Sequence, residues 1–359
     1  MRKIFFTPGP TELHPIVHEA IAQALKDHVC SINHRSSEFV EIYKSTDLAL
    51  RRLLNIPDDY LILFLGSATE CMDRLVQNCV LNSSHHFVNG AFAERFYKTA
   101  IELGKDSTAT TVEHGSGFDF NELPDMTNSE MICFTQNETS SGVATDLEKI
   151  YEVKEKYPES IVVIDVVTSV PYIEPDFRKL DAAFFSVQKG FGMPAGLGVL
   201  IVNNRCIERA KQLKERGGSV GSYHNLLSLA EYAVKYQNTE TPNVLAIYLL
   251  GKVSEYLLEY GKEKMRLETE AKAEFLYSAI DSCANIEALV KKQDERSKTI
   301  IIAQAGDKQA EIKQKLFNSG YVVGSGYGKY KDSEIRIANF PMHELEDVKK
   351  IAEVLCSIS

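Results

Sequence analysis

Between about residues 60 and 202 the chain alternates short apolar runs with amphipathic stretches, and this alternation limits the fold more than any other feature. Leu61–Leu65 reads Leu-Ile-Leu-Phe-Leu, a continuous apolar run suited to a strand covered on both faces. After it, Met72, Leu75, Val76, Cys79 and Val80 recur at helical spacing. Further strands are expected at 86–88, 107–112, Met131–Thr135, 161–164, Ala182–Ser186 and Gly198–Val202. Helices fall between them, as at 146–156, where Asp146 is placed to cap the first turn. Strands separated by helices imply βαβ units and a mostly parallel sheet, hence an α/β fold.

The texture changes after about residue 250. Residues 252–280 read as one long charged helix. Strands at 299–303 and Glu334–Ala338 follow, with helices at Gln309–Asn318 and 343–356, which suggests a smaller α+β domain. Gly324-Ser325-Gly326-Tyr327-Gly328-Lys329 lacks the last glycine of a dinucleotide-binding turn and reads as a flexible loop. No Walker or HExxH motif is present.

The net charge of -10 argues against wrapping nucleic acid or lying on an anionic membrane. No apolar run approaches the roughly 18 residues of a membrane helix. Thr7-Pro8-Gly9-Pro10 cuts short the brief apolar start, so no export is expected and the cytoplasm is the expected location. The seven cysteines show no CxxC spacing, so reduced thiols are expected and neither a zinc site nor a disulfide frame.

Three elements could carry chemistry. Lys189 follows an apolar strand and precedes a glycine-rich turn, at the sheet edge where open α/β folds bind ligands. A lysine in a dry pocket can join a carbonyl; otherwise it is a solvated strand-end residue. Asp165 ends another strand as a cap, a metal ligand or the partner of a cationic ring nitrogen. Gly66-Ser67-Ala68-Thr69 opens a helix, where backbone N–H groups suit an anion or an ordinary cap.

In that order these elements resemble the fold-type I pyridoxal-phosphate enzymes. The match is closest to the class V aminotransferases, and within them to the phosphoserine aminotransferase branch. Thr7-Pro8-Gly9-Pro10-Thr11, the segment 33–39, Asn89-Gly90-Ala91-Phe92, Asn137-Glu138-Thr139, Gln188-Lys189, Pro194-Ala195-Gly196 and Arg336-Ile337-Ala338-Asn339 carry it, essentially end to end. The resemblance implies a large domain with a mostly parallel seven-stranded sheet between helices and a smaller C-terminal α+β domain. The corresponding division is an N-terminal segment 1–15, a cofactor-binding domain 16–250 and a small domain 251–359.

By resemblance, Lys189 would hold pyridoxal 5'-phosphate and act as the acid–base group. Asp165 would pair with the ring nitrogen, Thr139 with the phenolic oxygen, and Phe92 would stack on the ring. Ser67, Ala68, Thr69 and Gln188 would bind the cofactor phosphate, completed by Asn238, Thr239 and Thr241 from a neighbouring subunit. Arg336 would grip the substrate carboxylate, and His34 and Arg35 would reach a substrate phosphate across a homodimer interface. The implied reaction moves the amino group of glutamate to 3-phosphohydroxypyruvate, in serine biosynthesis. The segment 326–331 departs from that branch, which carries a second His-Arg pair there. Alanine– or serine–glyoxylate or –pyruvate transamination is the alternative within the class. A non-catalytic binding protein that kept the fold is the alternative outside it.

Overall fold

The computed structural model describes residues 3–357. Its strands begin with β1 (Ile4–Phe6), β2 (Leu61–Leu65), β3 (Ser84–Val88), β4 (Thr108–Thr111) and β5 (Met131–Thr135). The hairpin β6 (Asn137–Glu138) and β7 (Val143–Ala144) follows, then β8 (Ile161–Asp165), β9 (Ala182–Ser186) and β10 (Gly198–Val202). Seven of these form one sheet in the order β2-β10-β9-β8-β5-β3-β4. Its pairs are parallel except that β10 runs antiparallel to both β2 and β9. The sheet is thus mostly parallel and seven-stranded, as expected. Every residue of β5, β8, β9 and β10 is buried, which explains why these runs are apolar on both faces.

Helices α1 (Pro15–Lys26), α2 (Ser37–Leu54), α3 (Ala68–Cys79), α4 (Ala91–Glu102) and α5 (Leu147–Lys156) connect or flank these strands. In α3 the periodic residues Cys71, Met72, Leu75, Val76 and Cys79 are all buried. Asp146 caps α5, its Oδ1 accepting from the Glu148 amide at 3.0 Å. After α6 (Asn204–Glu215) and α7 (Leu226–Ala233), the long charged stretch is two helices, α8 (Val244–Tyr260) and α9 (Lys262–Ser282). The break falls at Gly261, whose φ of 100° a helix interior does not allow.

The second sheet has the order β1-β13-β14-β12-β11, from β11 (Glu287–Ala288), β12 (Ile300–Gln304), β13 (Tyr321–Ser325) and β14 (Glu334–Ala338). Helices α10 (Gln309–Asn318) and α11 (Leu345–Cys356) pack with it. The start of the chain therefore reaches the C-terminal half, with Ile4–Phe6 pairing parallel to Tyr321–Val323. Gly324 and Ser325, expected in a loop, end β13 and pair with Arg336 and Ile335. Along α9 the buried side chains pass from the first core at Met265 to the second at Ala273.

The cysteine expectation fails at one pair. Cys283 and Cys356 form a disulfide across a separation of 73 residues, while Cys71, Cys79, Cys133 and Cys206 are free and buried. Spacing rules read local pairs; here the ends of α9 and α11 are brought together only by the tertiary fold.

One glycine sets where the large sheet meets α3. Gly198 starts β10 between Leu65 and Ser186, and a Cβ there would lie 2.4 Å from the Ser67 carbonyl carbon. Gly198→Ala should therefore cost about 1–3 kcal/mol through overpacking. Urea denaturation should show a lower midpoint at unchanged slope, and an unchanged midpoint would contradict the close approach.

Candidate active site

The ends of β2, β3, β5, β8 and β9 lie along one edge of the large sheet, because those strands run in the same direction. That edge gathers Gly66-Ser67, Asn89-Gly90, the segment 137–140, Asp165 and the turn carrying Lys189. The smaller sheet supplies Arg336 from β14.

Lys189 is 8% exposed, and among the described residues its amine has no hydrogen-bond partner. Burial, reinforced by the Arg336 charge, pulls its pKa down to about 8 against the opposing pull of Asp165 and Glu138. Its Nζ lies 5.8 Å from the centre of the Phe92 ring. Asp165 is buried, its carboxylate accepting a single hydrogen bond, from the Val167 amide at 2.8 Å. Burial pushes its pKa up to about 7, with the Val167 amide and Lys189 opposing and Glu138 adding to the rise. A dry amine and a dry acid near each other, neither saturated by hydrogen bonds, form a site prepared for a polar ligand.

Other groups enclose the pair. Arg336 donates from Nε to the Ser325 carbonyl (2.7 Å) and from Nη1 to the Thr139 carbonyl (3.3 Å), with its guanidinium 5.6 Å from the Tyr327 ring. Thr139 Oγ1 donates to Thr168 Oγ1 at 3.2 Å, and Asn137 Nδ2 donates to the same hydroxyl at 2.8 Å. The N-terminal segment crosses the lysine turn, Thr11 donating to the Gln188 carbonyl (3.3 Å) and His14 to the Gly192 carbonyl (2.8 Å). Gly9 touches the lysine itself: a Cβ there would sit 2.4 Å from Nζ. A cavity of about 430 Å³ opens alongside, lined by Asn89, Thr111, His114, Tyr327, Lys329 and Tyr330 among others. A larger one, about 710 Å³, lies around Gln136, Thr145 and Ser169, and neither cavity is lined by Lys189.

Ser67 caps α3, its Oγ accepting from the Glu70 amide at 3.1 Å. The Ala68 amide is already committed to Ser186 Oγ at 2.9 Å. Thr69 is exposed at the first turn and makes no hydrogen bond through its amide or hydroxyl among the described residues, so these donors are open to an anion. The side chain of Gln188, half-buried, is likewise without a hydrogen bond there.

His34, Arg35, Asn238, Thr239 and Thr241 are not bonded to the Lys189 group within the chain. Arg35 instead donates to Gln237 Oε1 (3.0 Å) and to the carbonyls of Asn238 (2.7 Å) and Thr239 (3.1 Å). Asn238 Nδ2 donates to the Phe64 carbonyl at 3.0 Å, and Thr241 is exposed. This loop borders α3 through a cluster that sequence reading missed. His224 bonds Glu70 through Nδ1 and lies 3.3 Å from Glu240 through Nε2. Burial alone would lower the His224 pKa, but the Glu240 and Glu70 carboxylates beside it outweigh this and raise it to about 9. Burial would raise that of Glu240; His224 and Thr239 hold it near 2. No local motif marks this cluster, since its members are 154 and 16 residues apart.

Comparison with known proteins decides the family. The sequence model described as aminotransferase class-V matches residues 4–329. The chain belongs to the class V aminotransferases. It is 24% identical to a phosphoserine aminotransferase of Lactococcus lactis, over 96% of each chain. It is 25% identical to an uncharacterised aminotransferase of Methanocaldococcus jannaschii, over 93% of this chain and 86% of that one. A solved phosphoserine aminotransferase from Cytophaga hutchinsonii is 42% identical, with a TM-score of 0.97 over 99% of both chains. A solved alanine–glyoxylate aminotransferase from Nostoc shares the fold at 20% identity, with a TM-score of 0.85 over 99% of this chain and 95% of that one.

The chain is thus a fold-type I, pyridoxal-phosphate-dependent aminotransferase. Its residues fit the cofactor on grounds of their own. Lys189 offers an unbonded amine, Asp165 an under-bonded buried acid, and Thr69 open donors at a helix N-terminus.

Two tests follow from this geometry. Gly9→Ala should displace the amine and weaken pyridoxal-phosphate capture by about tenfold or more, for an overpacking cost of about 1–3 kcal/mol. Equilibrium dialysis giving wild-type affinity would refute the contact. The histidine cluster sets a pH window. The contribution of His224, whose pKa is raised, is fully present below 6.5 and lost as pH rises through about 9. That of Glu240, whose pKa is depressed, is present above 4.5 and lost as pH falls through about 2. The melting temperature gap between wild type and His224→Gln should therefore be widest near pH 6 and shrink towards pH 10; a constant gap would contradict the cluster's charge.

Proposed function

We propose that the enzyme transfers the amino group of glutamate to 3-phosphohydroxypyruvate, giving phosphoserine and 2-oxoglutarate, as a cytoplasmic homodimer serving serine biosynthesis. The observation that carries the transamination chemistry is the buried, unbonded Lys189 amine beside the buried Asp165 acid. Support for the phosphorylated substrate comes from the 42% identical phosphoserine aminotransferase and from the basic residue pair His34-Arg35.

When bound, pyridoxal phosphate supplies a carbonyl that exchanges amino groups and a ring that accepts electron density from the substrate. The chain's residues do the rest. Lys189, with a pKa near 8, holds a large neutral fraction at mildly alkaline pH, so its Nζ can take a proton from the substrate Cα and return one across the C–N bond. Asp165 holds positive charge on the ring nitrogen, and Phe92 packs the ring face. Among the described residues Arg336 Nη2 has no hydrogen-bond partner, and it receives the substrate carboxylate. Thr69, Ser67 and Gln188 hold the cofactor phosphate, with Ala68 shaping the turn through its bond to Ser186. Asn238, Thr239 and Thr241, together with His34 and Arg35, act on the partner's site; within its own chain Arg35 holds the Gln237 side chain and the Asn238 and Thr239 carbonyls.

A second reading has one specific observation behind it. Where the phosphoserine branch has a second His-Arg pair, this chain has Tyr327, its ring tilted against Phe92, and Lys329, an exposed lysine over the Tyr330 ring. That wall is less cationic than a guanidinium fork and suits a plain acceptor such as glyoxylate or pyruvate.

Steady-state kinetics with glutamate separate the two. The proposal expects kcat/KM for 3-phosphohydroxypyruvate to exceed that for hydroxypyruvate, pyruvate and glyoxylate by roughly 100-fold or more, since a site built for a charged group rejects analogues lacking it. Arg35→Ala should erase most of that preference. Equal values would discard phosphate recognition. Lys189→Ala should lower turnover by at least about 10²-fold.

A further inference from the structure

The first turn of α4 carries Phe92, yet its N-cap residue is Gly90, which has no side chain to satisfy the turn's orphan amides. Those amides are satisfied from a distant part of the chain. Glu138 accepts through Oε2 from the Phe92 amide (3.1 Å) and the Ala93 amide (2.9 Å). Its Oε1 accepts from the Ser140 amide (2.9 Å) and from Ser140 Oγ (2.7 Å). Ser140 Oγ in turn accepts from the Ala91 amide at 2.8 Å. The three first amides of α4 are thus bound to one carboxylate and the hydroxyl it orders. The contact leaves no room for another residue at position 90: a Cβ there would meet Glu138 Cγ and Ser140 Oγ at 2.4 Å each.

Glu138 is fully buried and lies between two residues of the site. Phe92 is on the helix it caps, and Thr139 is its chain neighbour, whose carbonyl receives Arg336. Lys189, Asp165 and Arg336 all feel its charge. A carboxylate at a helix N-terminus is stabilised by the helix dipole, but an exposed side chain would do that equally well. A buried acid clamping two segments that face one ligand suggests a more demanding duty.

We propose that Glu138 is a positioning residue: with Ser140 it locks Phe92 and Thr139 at a fixed separation across the cofactor's ring, and so sets how firmly and in what orientation pyridoxal phosphate is held. This rests on the reading that the ring binds between Phe92 and Thr139 beside Lys189.

The test measures pyridoxal-phosphate affinity and visible circular dichroism of the bound cofactor, besides thermal stability, in wild type and variants. Glu138→Gln keeps the shape but turns an acceptor oxygen into a donor facing an amide. It should weaken affinity at least tenfold and reduce the visible ellipticity. Glu138→Asp, too short to reach both segments, should fall between. Ser140→Ala, a milder change that serves if Glu138→Gln does not fold, should weaken affinity measurably. Asp146→Ala, which removes the ordinary cap of α5, is the control and should lower the melting temperature while leaving both cofactor readouts unchanged. The proposal is overturned if Glu138→Gln or Ser140→Ala binds cofactor as wild type does, or if Asp146→Ala loses as much affinity as they do. Failure of the underlying reading looks different: wild type itself would then show no Lys189-dependent visible band on adding the cofactor.

Discussion

Everything in this molecule is arranged around two ionisable groups held out of water without enough partners. Among the described residues the Lys189 amine has no hydrogen-bond partner and the Asp165 carboxylate has one. Burying either alone would be costly, and both respond by moving towards neutrality, the amine down to about 8 and the acid up to about 7. A protein under selection for stability alone would pair them with short hydrogen bonds or replace them with apolar side chains. Here the surrounding strands hold the charges in place and leave their bonding capacity open. The apolar strands β5, β8 and β9 supply the rigidity this requires, since a fully buried parallel sheet gives its edge residues little freedom to relax.

The same need explains why segments come so close together at the sheet edge. Gly9 lets the N-terminal segment lie on the lysine, Gly198 lets β10 pass Ser67, and Gly90 lets the start of α4 sit on Glu138. The space of the missing side chain is taken by side-chain groups of another segment at Gly9 and Gly90, and by the Ser67 backbone at Gly198. The N-terminal segment has a second attachment: β1 is a strand of the smaller sheet, and His343 reaches the Phe5 carbonyl at 3.0 Å. The His343 Nδ1 accepts from the Phe340 amide, so Nε2 carries the proton and donates to Phe5. The chain segment over Lys189 is therefore anchored to the sheet that presents Arg336.

What the sequence revealed and what it hid follow one division. Features set by local pattern were legible: the apolar strands, the periodic face of α3, the Asp146 cap, and the strand-end positions of Asp165 and Lys189. Features set by distant contacts were not. Ile4–Phe6 is too short to read as a strand until β13 is beside it, and β13 itself was hidden by its glycine and serine. The break between α8 and α9 depends on one positive φ at Gly261 inside an otherwise continuous helical pattern. Glu138 was within view, in Asn137-Glu138-Thr139, but a glutamate between polar neighbours reads as surface. Only its capping of a helix that starts 47 positions earlier puts it in the interior. The Glu70–His224–Glu240 cluster and the Cys283–Cys356 pair escaped for the same reason.

The distribution of charge around the site bears on which substrates it can discriminate. Among the described residues, Arg336, partly occupied by the Ser325 and Thr139 carbonyls, is the cation whose charge acts on the Lys189 amine, and Lys329 stands on an exposed turn lining the adjoining cavity. Glu94 and His114, the latter bonded to the buried Glu334, line the neighbouring cavity, so that wall is not strongly cationic. Arg35, proposed to serve a substrate phosphate, spends donors on the Gln237 side chain and the Asn238 and Thr239 carbonyls of its own chain. On the proposed roles, a single chain would orient an amino acid by its carboxylate through Arg336 but has little with which to select a phosphorylated one. In the proposed dimer, selectivity for a phosphate would be created where two copies meet, which makes substrate choice a property of assembly, whereas the proton transfer proposed for Lys189 belongs to the single fold.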